Sequence, residues 1–221
     1  MNPEISFIPT QSKQWVLHLI FVRIPKNAST SIYHHLGKYN LVKKYEPYFK
    51  NNCNNPLYRN FFDTTHAKPE EIKKIIPANV NNYFSFCVVR NPWDRFVSMY
   101  SFSLKNKLWK LFGLDEEPSF LEFCKICEQR KEDGDPYFFP IQQQCEWLSG
   151  GFDVKKILTF ENLKTEFAEM IQDINACHIS PHLPHMNATD HKNYQHYYND
   201  YTKDLVAELY NKDIEQFNYQ F

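Results

Sequence analysis

Two short stretches carry the residue types that grip anions. The first, Pro25-Lys26-Asn27-Ala28-Ser29-Thr30-Ser31, follows an apolar run and leads into an amphipathic pattern. A strand passing through such a loop into a helix gathers free backbone N–H groups, the positive end of the helix dipole, three hydroxyls and a lysine at one spot. That spot suits an anion. The same spacing also fits an ordinary helix start, with Ser and Thr as caps and Lys26 in solvent. The second stretch begins with Arg90, at the end of another apolar run, and reaches Ser98. With Asn91 as a helix cap, Ser98 falls two turns along on about the same face, so its hydroxyl can point back toward Arg90 and the pair can hold a second phosphate. Taken alone, this segment also allows Arg90 to pair with Asp94 and Ser98 to be filler.

Glycine limits how those anions can be held. Five glycines in 221 residues leave few positions where the backbone can turn through positive φ or approach a ligand without a Cβ. No G-x-G-x-x-G occurs, and the Gly37-Lys38 pair continues into Tyr39 with no glycine five residues upstream. The dinucleotide fingerprint and the Walker A loop are therefore both excluded. Any phosphate site has to be built from other residues.

The elements that must position these stretches read as alternating strands and helices. Val16 to Ile24, Tyr83 to Val89 and Val154 to Phe160 are short apolar runs rich in β-branched and aromatic residues, the pattern of buried parallel strands. Ala28, Ile32 and Leu36 recur at helical spacing, with Gly37 placed as a terminator. Asn91-Pro92-Trp93-Asp94 joins a cap, a proline at the first helical position and an acid in the first turn, which opens a helix running into the 100s. Pro69-Glu70-Glu71 opens a shorter one, and further helices are expected at Phe120 to Arg130, Leu163 to Ile174 and Thr202 to Gln216. The expectation is an α/β fold, a central parallel sheet flanked by helices in three layers, formed by residues 1–221 as a single domain. Asn51 to Asn55 and Asn79 to Asn82 read as surface turns. Lys105 to Gln144 offers no legible motif.

Charge and composition bound the partners. Lys and Arg number 25 against 26 Asp and Glu, for a formal charge of -1, which argues against a nucleic-acid binder that relies on a broad basic surface. The apolar run from Trp15 to Val22 is too short to span a membrane and lacks the features of a signal peptide. Six cysteines without a secretion signal read as reduced thiols, and the cytoplasm is the expected compartment. Five of the nine histidines fall between His178 and His196, but Pro181 and Pro184 oppose the helical spacing that pairs ligands, so no metal is expected. Cys124 and Cys127 lack a second Cys-x-x-Cys and sit in an amphipathic pattern, which makes core packing their role.

The ordered pair of loops resembles the signature of the sulfotransferases that use 3′-phosphoadenosine 5′-phosphosulfate. Ile24 to Ser31 and Val89 to Ser98 look like the carbohydrate branch of that family, similar to the uronyl 2-O-sulfotransferases and their bacterial relatives. Thr65-His66-Ala67 ahead of a short helix, and Leu183 to Thr189 leading to Tyr194, Tyr197 and Tyr198, fit the same branch. The resemblance covers most of the chain outside residues 104–150 and implies a three-layer fold like that of the P-loop proteins.

What the resemblance implies for the chemistry follows residue by residue. Lys26 would meet the oxygen bridging sulfur and the 5′-phosphate, where charge grows as the sulfuryl group leaves. Asn27, Ala28, Ser29, Thr30 and Ser31 would hold the 5′-phosphate, and Arg90 and Ser98 the 3′-phosphate. Arg95 would brace the second loop without touching the ligand. His66 occupies the place of the base that takes the acceptor proton, a task that Asp63, Glu70 or Glu71 could also fill. Asn187 and Thr189 would contact the nucleotide from a closing tail, with Asn187 standing where some relatives have a basic residue. The implied co-substrate is 3′-phosphoadenosine 5′-phosphosulfate, leaving adenosine 3′,5′-bisphosphate, with the hydroxyl of a carbohydrate or of another acceptor as the group that receives the sulfuryl. A bacterial or viral cytosolic enzyme is the expectation, unless the chain is a trimmed Golgi luminal domain. Two rivals remain open at this point. One is a P-loop kinase or NTPase, which Arg90 fits poorly because a magnesium-binding Asp belongs at that strand end. The other is an inactive nucleotide- or glycan-binding module.

Overall fold

The computed structural model describes residues 8–9, 15–16, 19–38, 66–75, 83–112, 114–134, 142–148, 150–176, 178–184 and 193–221. The fold is α/β, as expected, and the chain divides into two compact units, Met1–Val89 with Trp147–Asn187 and Arg90–Glu146 with Ala188–Phe221.

The first unit is built on a parallel sheet. A two-residue antiparallel ladder joins β1 (Ile8–Pro9) and β2 (Trp15–Val16). The main sheet contains β3 (Leu19–Val22), β4 (Phe84–Val89) and β5 (Lys156–Thr159), in the order β3-β4-β5 and all parallel. Alternation sorts the side chains. Leu19 and Phe21, Phe84, Phe86 and Val88, and Leu158 turn toward the helices α1 (Ser29–Gly37) and α5 (Leu163–Asp173), where they join Ile32, Leu36, Phe167, Met170 and Ile171 in one core. Phe21 stacks on Phe86 with ring centroids 4.7 Å apart. The opposite face is buried too, through Ile20, Val22, Cys87 and Val89, which is why these strands read as continuous apolar runs instead of alternating ones. The short helix α2 (Pro69–Ile75) follows His66, as Pro69-Glu70-Glu71 predicts.

Two boundaries differ from the sequence reading. The expected strand from Val16 to Ile24 is interrupted: Val16 pairs in the small antiparallel ladder, and the parallel strand ends at Val22. Arg23 leaves the sheet because its carbonyl accepts a hydrogen bond from His66 instead of from a neighbouring strand. Gly37 is the last helical residue of α1 and not a left-handed cap. The helix instead closes on Lys38, a right-handed residue whose amide reaches back to the His35 carbonyl, so no glycine conformation is needed there.

The second unit is helical. It contains α3 (Pro92–Lys105), α4 (Phe120–Glu132), α6 (Asp200–Leu209) and α7 (Asn211–Phe217), with short 3-10 turns at Leu108–Phe112 and Tyr194–Tyr197. Asn91 caps α3 by accepting from the amides of Trp93 and Asp94, with Pro92 in the first turn. Trp93, Phe96, Phe123, Cys124, Cys127, Leu205, Val206, Leu209 and Tyr210 form the core. Cys124 and Cys127 are thus packing residues; burial pushes the Cys124 thiol up to about 12, and Cys127 also well above the ordinary thiol range. The expected single helix from Thr202 to Gln216 is two helices broken at Tyr210. Tyr210 is fully buried with its ring under the Arg95 guanidinium, and the break exposes the first amides of α7 to the side chain of Gln143. Among the described residues no helix is long and apolar enough to cross a membrane.

Candidate functional site

The loop after β3 is where the shortage of glycine shows. Lys26 has φ 68 and Ala28 has φ 56, so two residues that carry a Cβ occupy the left-handed region that glycine normally fills. Each costs roughly 1–2 kcal/mol relative to a right-handed conformation. The surrounding contacts hold them there. The Asn27 side chain is buried and donates from Nδ2 to the Val88 carbonyl at 2.7 Å, tying the middle of the loop to the end of β4. Ala28 is the N-cap residue of α1 and has no side chain that can cap it. The helix therefore begins behind a left-handed turn with Ser29, Thr30 and Ser31 as its first residues and no acid in its first turn. Ser29 and Ser31 are buried and Thr30 is half-buried. The first amides of the helix and the positive end of its dipole face this turn, with the three hydroxyl residues in the first turn, an arrangement whose electrostatics favour negative charge.

His66 is brought to the root of this loop. Its Nδ1 lies 2.7 Å from the carbonyl oxygen of Arg23, two residues ahead of Pro25. A carbonyl can only accept, so Nδ1 carries the hydrogen, and in the neutral ring Nε2 is the basic nitrogen. The backbone around His66 is fixed as well. The fully buried Trp147 donates from its indole to the His66 carbonyl at 3.1 Å, and Lys68 lies over the Trp147 ring at 5.0 Å. Gly151 packs so closely on the start of α2 that a Cβ there would overlap the Pro69 carbonyl. Of the alternative bases, Glu71 is occupied in accepting from the Lys68 amide, and Glu70 is exposed on α2. Asp63 lies outside the described residues.

In the second unit, Arg90 directly follows β4 and is buried, with 5% of its surface exposed. Its Nε donates to Asp94 Oδ2 at 2.7 Å. The ion pair anticipated as an alternative thus exists, one turn along α3, and it orients the guanidinium. Ser98 is buried two turns into the same helix. Arg95 acts as a brace: fully buried, it donates from Nη1 to the Gln142 carbonyl at 2.9 Å. The aromatic group that follows the tail is ordered around Trp93, whose carbonyl accepts from the Tyr198 hydroxyl at 2.8 Å and whose indole donates to the Lys203 carbonyl. Asn187 and Thr189 lie outside the described residues. Of the histidine cluster, His178, His182 and His196 are exposed, and among the described residues no three His, Cys, Asp or Glu side chains gather where a metal could bind.

Sequence reasoning missed Trp147, Gln144 and Asp213. The first two lie in or beside the stretch without a legible motif, and Asp213 sits on α7 with nothing local to mark it. All three act through contacts distant in sequence.

Relieving one left-handed residue tests the strain in the loop. Ala28→Gly should raise stability by up to about 1 kcal/mol, the conformational relief being partly offset by the freer unfolded chain. A urea midpoint that rises at constant m-value is the expected outcome; a midpoint that falls would show that the Ala28 methyl packs productively.

A family model described as "Sulfotransferase family" matches residues 16–220. Comparisons with curated proteins and with solved structures find no match.

Proposed function

The chain belongs to the sulfotransferase family, and from that premise we propose that it moves a sulfuryl group from 3′-phosphoadenosine 5′-phosphosulfate to a carbohydrate hydroxyl by in-line displacement. Residues 1–221 act in this reading as one sulfotransferase domain. The observation that carries it is the bond between His66 Nδ1 and the Arg23 carbonyl. It fixes the tautomer that leaves Nε2 as a base and ties that base to the strand entering the anion loop.

Each residue then has a task. The acceptor oxygen forms a bond to sulfur while the bond from sulfur to the bridging oxygen breaks, its electron pair leaving with the 5′-phosphate. His66 Nε2 takes the hydroxyl proton. Lys26, held in a left-handed turn, neutralises the charge that grows on the bridging oxygen, an interaction stronger in the transition state than before it. Asn27, Ala28, Ser29, Thr30 and Ser31 receive the 5′-phosphate through amides and hydroxyls. Arg90 and Ser98 receive the 3′-phosphate, with Asp94 orienting the guanidinium. Asn187 and Thr189 contact the nucleotide in the same reading. The chemistry asks for no metal, since lysine and the helix terminus supply the positive charge.

Three substitutions check these tasks. Lys26→Ala should lower kcat by about 10²–10³ with its unfolding midpoint nearly unchanged, and wild-type turnover would remove the lysine from the mechanism. Arg90→Ala should weaken adenosine 3′,5′-bisphosphate about tenfold or more relative to adenosine 5′-phosphate in calorimetric titrations; equal losses would mean that it does not read the 3′-phosphate. His66→Ala should cost about 10²–10⁴ in rate with donor affinity kept. Because the base works unprotonated, the wild-type rate should fall as pH drops through the histidine pKa, and this acidic limb should vanish in the variant. An unchanged limb would assign the base elsewhere.

A further inference from the structure

Arg90 owes its position to a side chain outside its own loop. Its backbone amide donates to Gln144 Oε1 at 2.9 Å, and its carbonyl accepts from Gln144 Nε2 at 2.9 Å. A primary amide that offers an acceptor to one N–H and a donor to the C=O of the same residue does what a neighbouring strand would do. Gln144 thus satisfies the backbone of the first residue beyond β4. It is fully buried.

Gln144 is itself held by a buried carboxylate. Asp213, at 0% exposure, accepts from the Gln144 amide at 2.7 Å through Oδ2 and from the Cys145 amide at 2.9 Å through Oδ1. The clamp is reciprocal: Gln143 Oε1 accepts from the amides of Lys212 at 2.9 Å and Asp213 at 3.3 Å. Arg95 secures the same strip through the Gln142 carbonyl. So the start of α7 and the strip from Gln142 to Cys145 cap one another, and this assembly directs the Gln144 side chain onto the Arg90 peptide.

We infer that Gln144 is a positioning residue for recognition of the 3′-phosphate: it fixes the Arg90 backbone so that the guanidinium, turned by Asp94, presents to that group in one orientation. This rests on Arg90 reading the 3′-phosphate, as proposed above. The chemistry is specific to glutamine. A glutamate in its place faces the Arg90 carbonyl with a second acceptor, and an apolar residue removes both bonds to the Arg90 peptide.

The test is calorimetric titration of the full chain with adenosine 3′,5′-bisphosphate and with adenosine 5′-phosphate, for wild type, Gln144→Met, Gln144→Glu and Arg90→Ala. The quantity read is the ratio of the two affinities. Partial unfolding lowers both affinities by the same factor and leaves the ratio unchanged, so the ratio separates positioning from mere stability. Gln144→Met conserves volume and Gln144→Glu conserves shape, which gives two independent routes should one variant fold poorly. In both, the preference for the bisphosphate should fall about tenfold while binding of the 5′-phosphate alone changes little. A ratio at the wild-type value in the Gln144 variants, but lost in Arg90→Ala, overturns the inference and leaves the role of Arg90 standing. A ratio untouched in Arg90→Ala removes the role of Arg90, and the inference with it.

Discussion

The hydrogen bond from the Asn27 side chain to the Val88 carbonyl joins the two parts of the first unit on which the proposed chemistry depends. It is possible because β3 and β4 run parallel in a register that sets Val22 beside Cys87, so β4 continues past the end of β3 to Val89 and the loop leaving β3 lies against that extension. A slip of one residue would reverse the faces of β3 and turn Phe21 away from Phe86. The core beneath therefore enforces the register, and the register sets the height at which Lys26 and its neighbours stand. A buried amide bridging two strand ends is more demanding than a surface contact, since losing its partner leaves a polar group stranded in a dry interior.

The loop itself is a compromise between conformation and charge. Lys26 and Ala28 stand in a backbone region unfavourable to residues with a Cβ, and α1 starts with no side chain of the N-cap residue to receive its first amides. Both features cost stability in isolation. In the proposed reaction, a phosphate at the helix terminus would offset them by accepting those amides and meeting the positive end of the dipole, an effect that deepens as water is excluded. A glycine-free loop can therefore hold a phosphate, and hydroxyls at Ser29, Thr30 and Ser31 stand where a glycine-rich loop would rely on backbone alone.

Much of this was legible in the sequence because it is local. The strand, loop and helix around Lys26, the cap and proline that open α3, and the helical spacing of Cys124 and Cys127 all depend on neighbours a few residues apart. The ion pair of Arg90 with Asp94 is also local, at one helical turn, and its possibility was visible. The rest required contacts that no short window contains. Nothing near Gln144 announces that its amide will close on Arg90, and nothing near Tyr210 announces that a helix will break so that α7 can cap a distant turn. Gly37 misled for a related reason: glycine at a helix end suggests a left-handed cap, but an i to i−3 closure on Lys38 made one unnecessary.

The clamp on His66 bears on the order in which the molecule can become competent. The indole that fixes its carbonyl lies 81 residues further along the chain, and the glycine that lets α2 settle lies beyond that. A polypeptide growing from its N-terminus makes the loop around Lys26 and the histidine long before either support exists. Closing so long a span is among the slower events of folding because its entropy is lost before the contacts repay it. His66 is thus set in its final frame only after the approach to β5 has been laid down, so a half-made chain holds the loop residues without the supports that align the histidine.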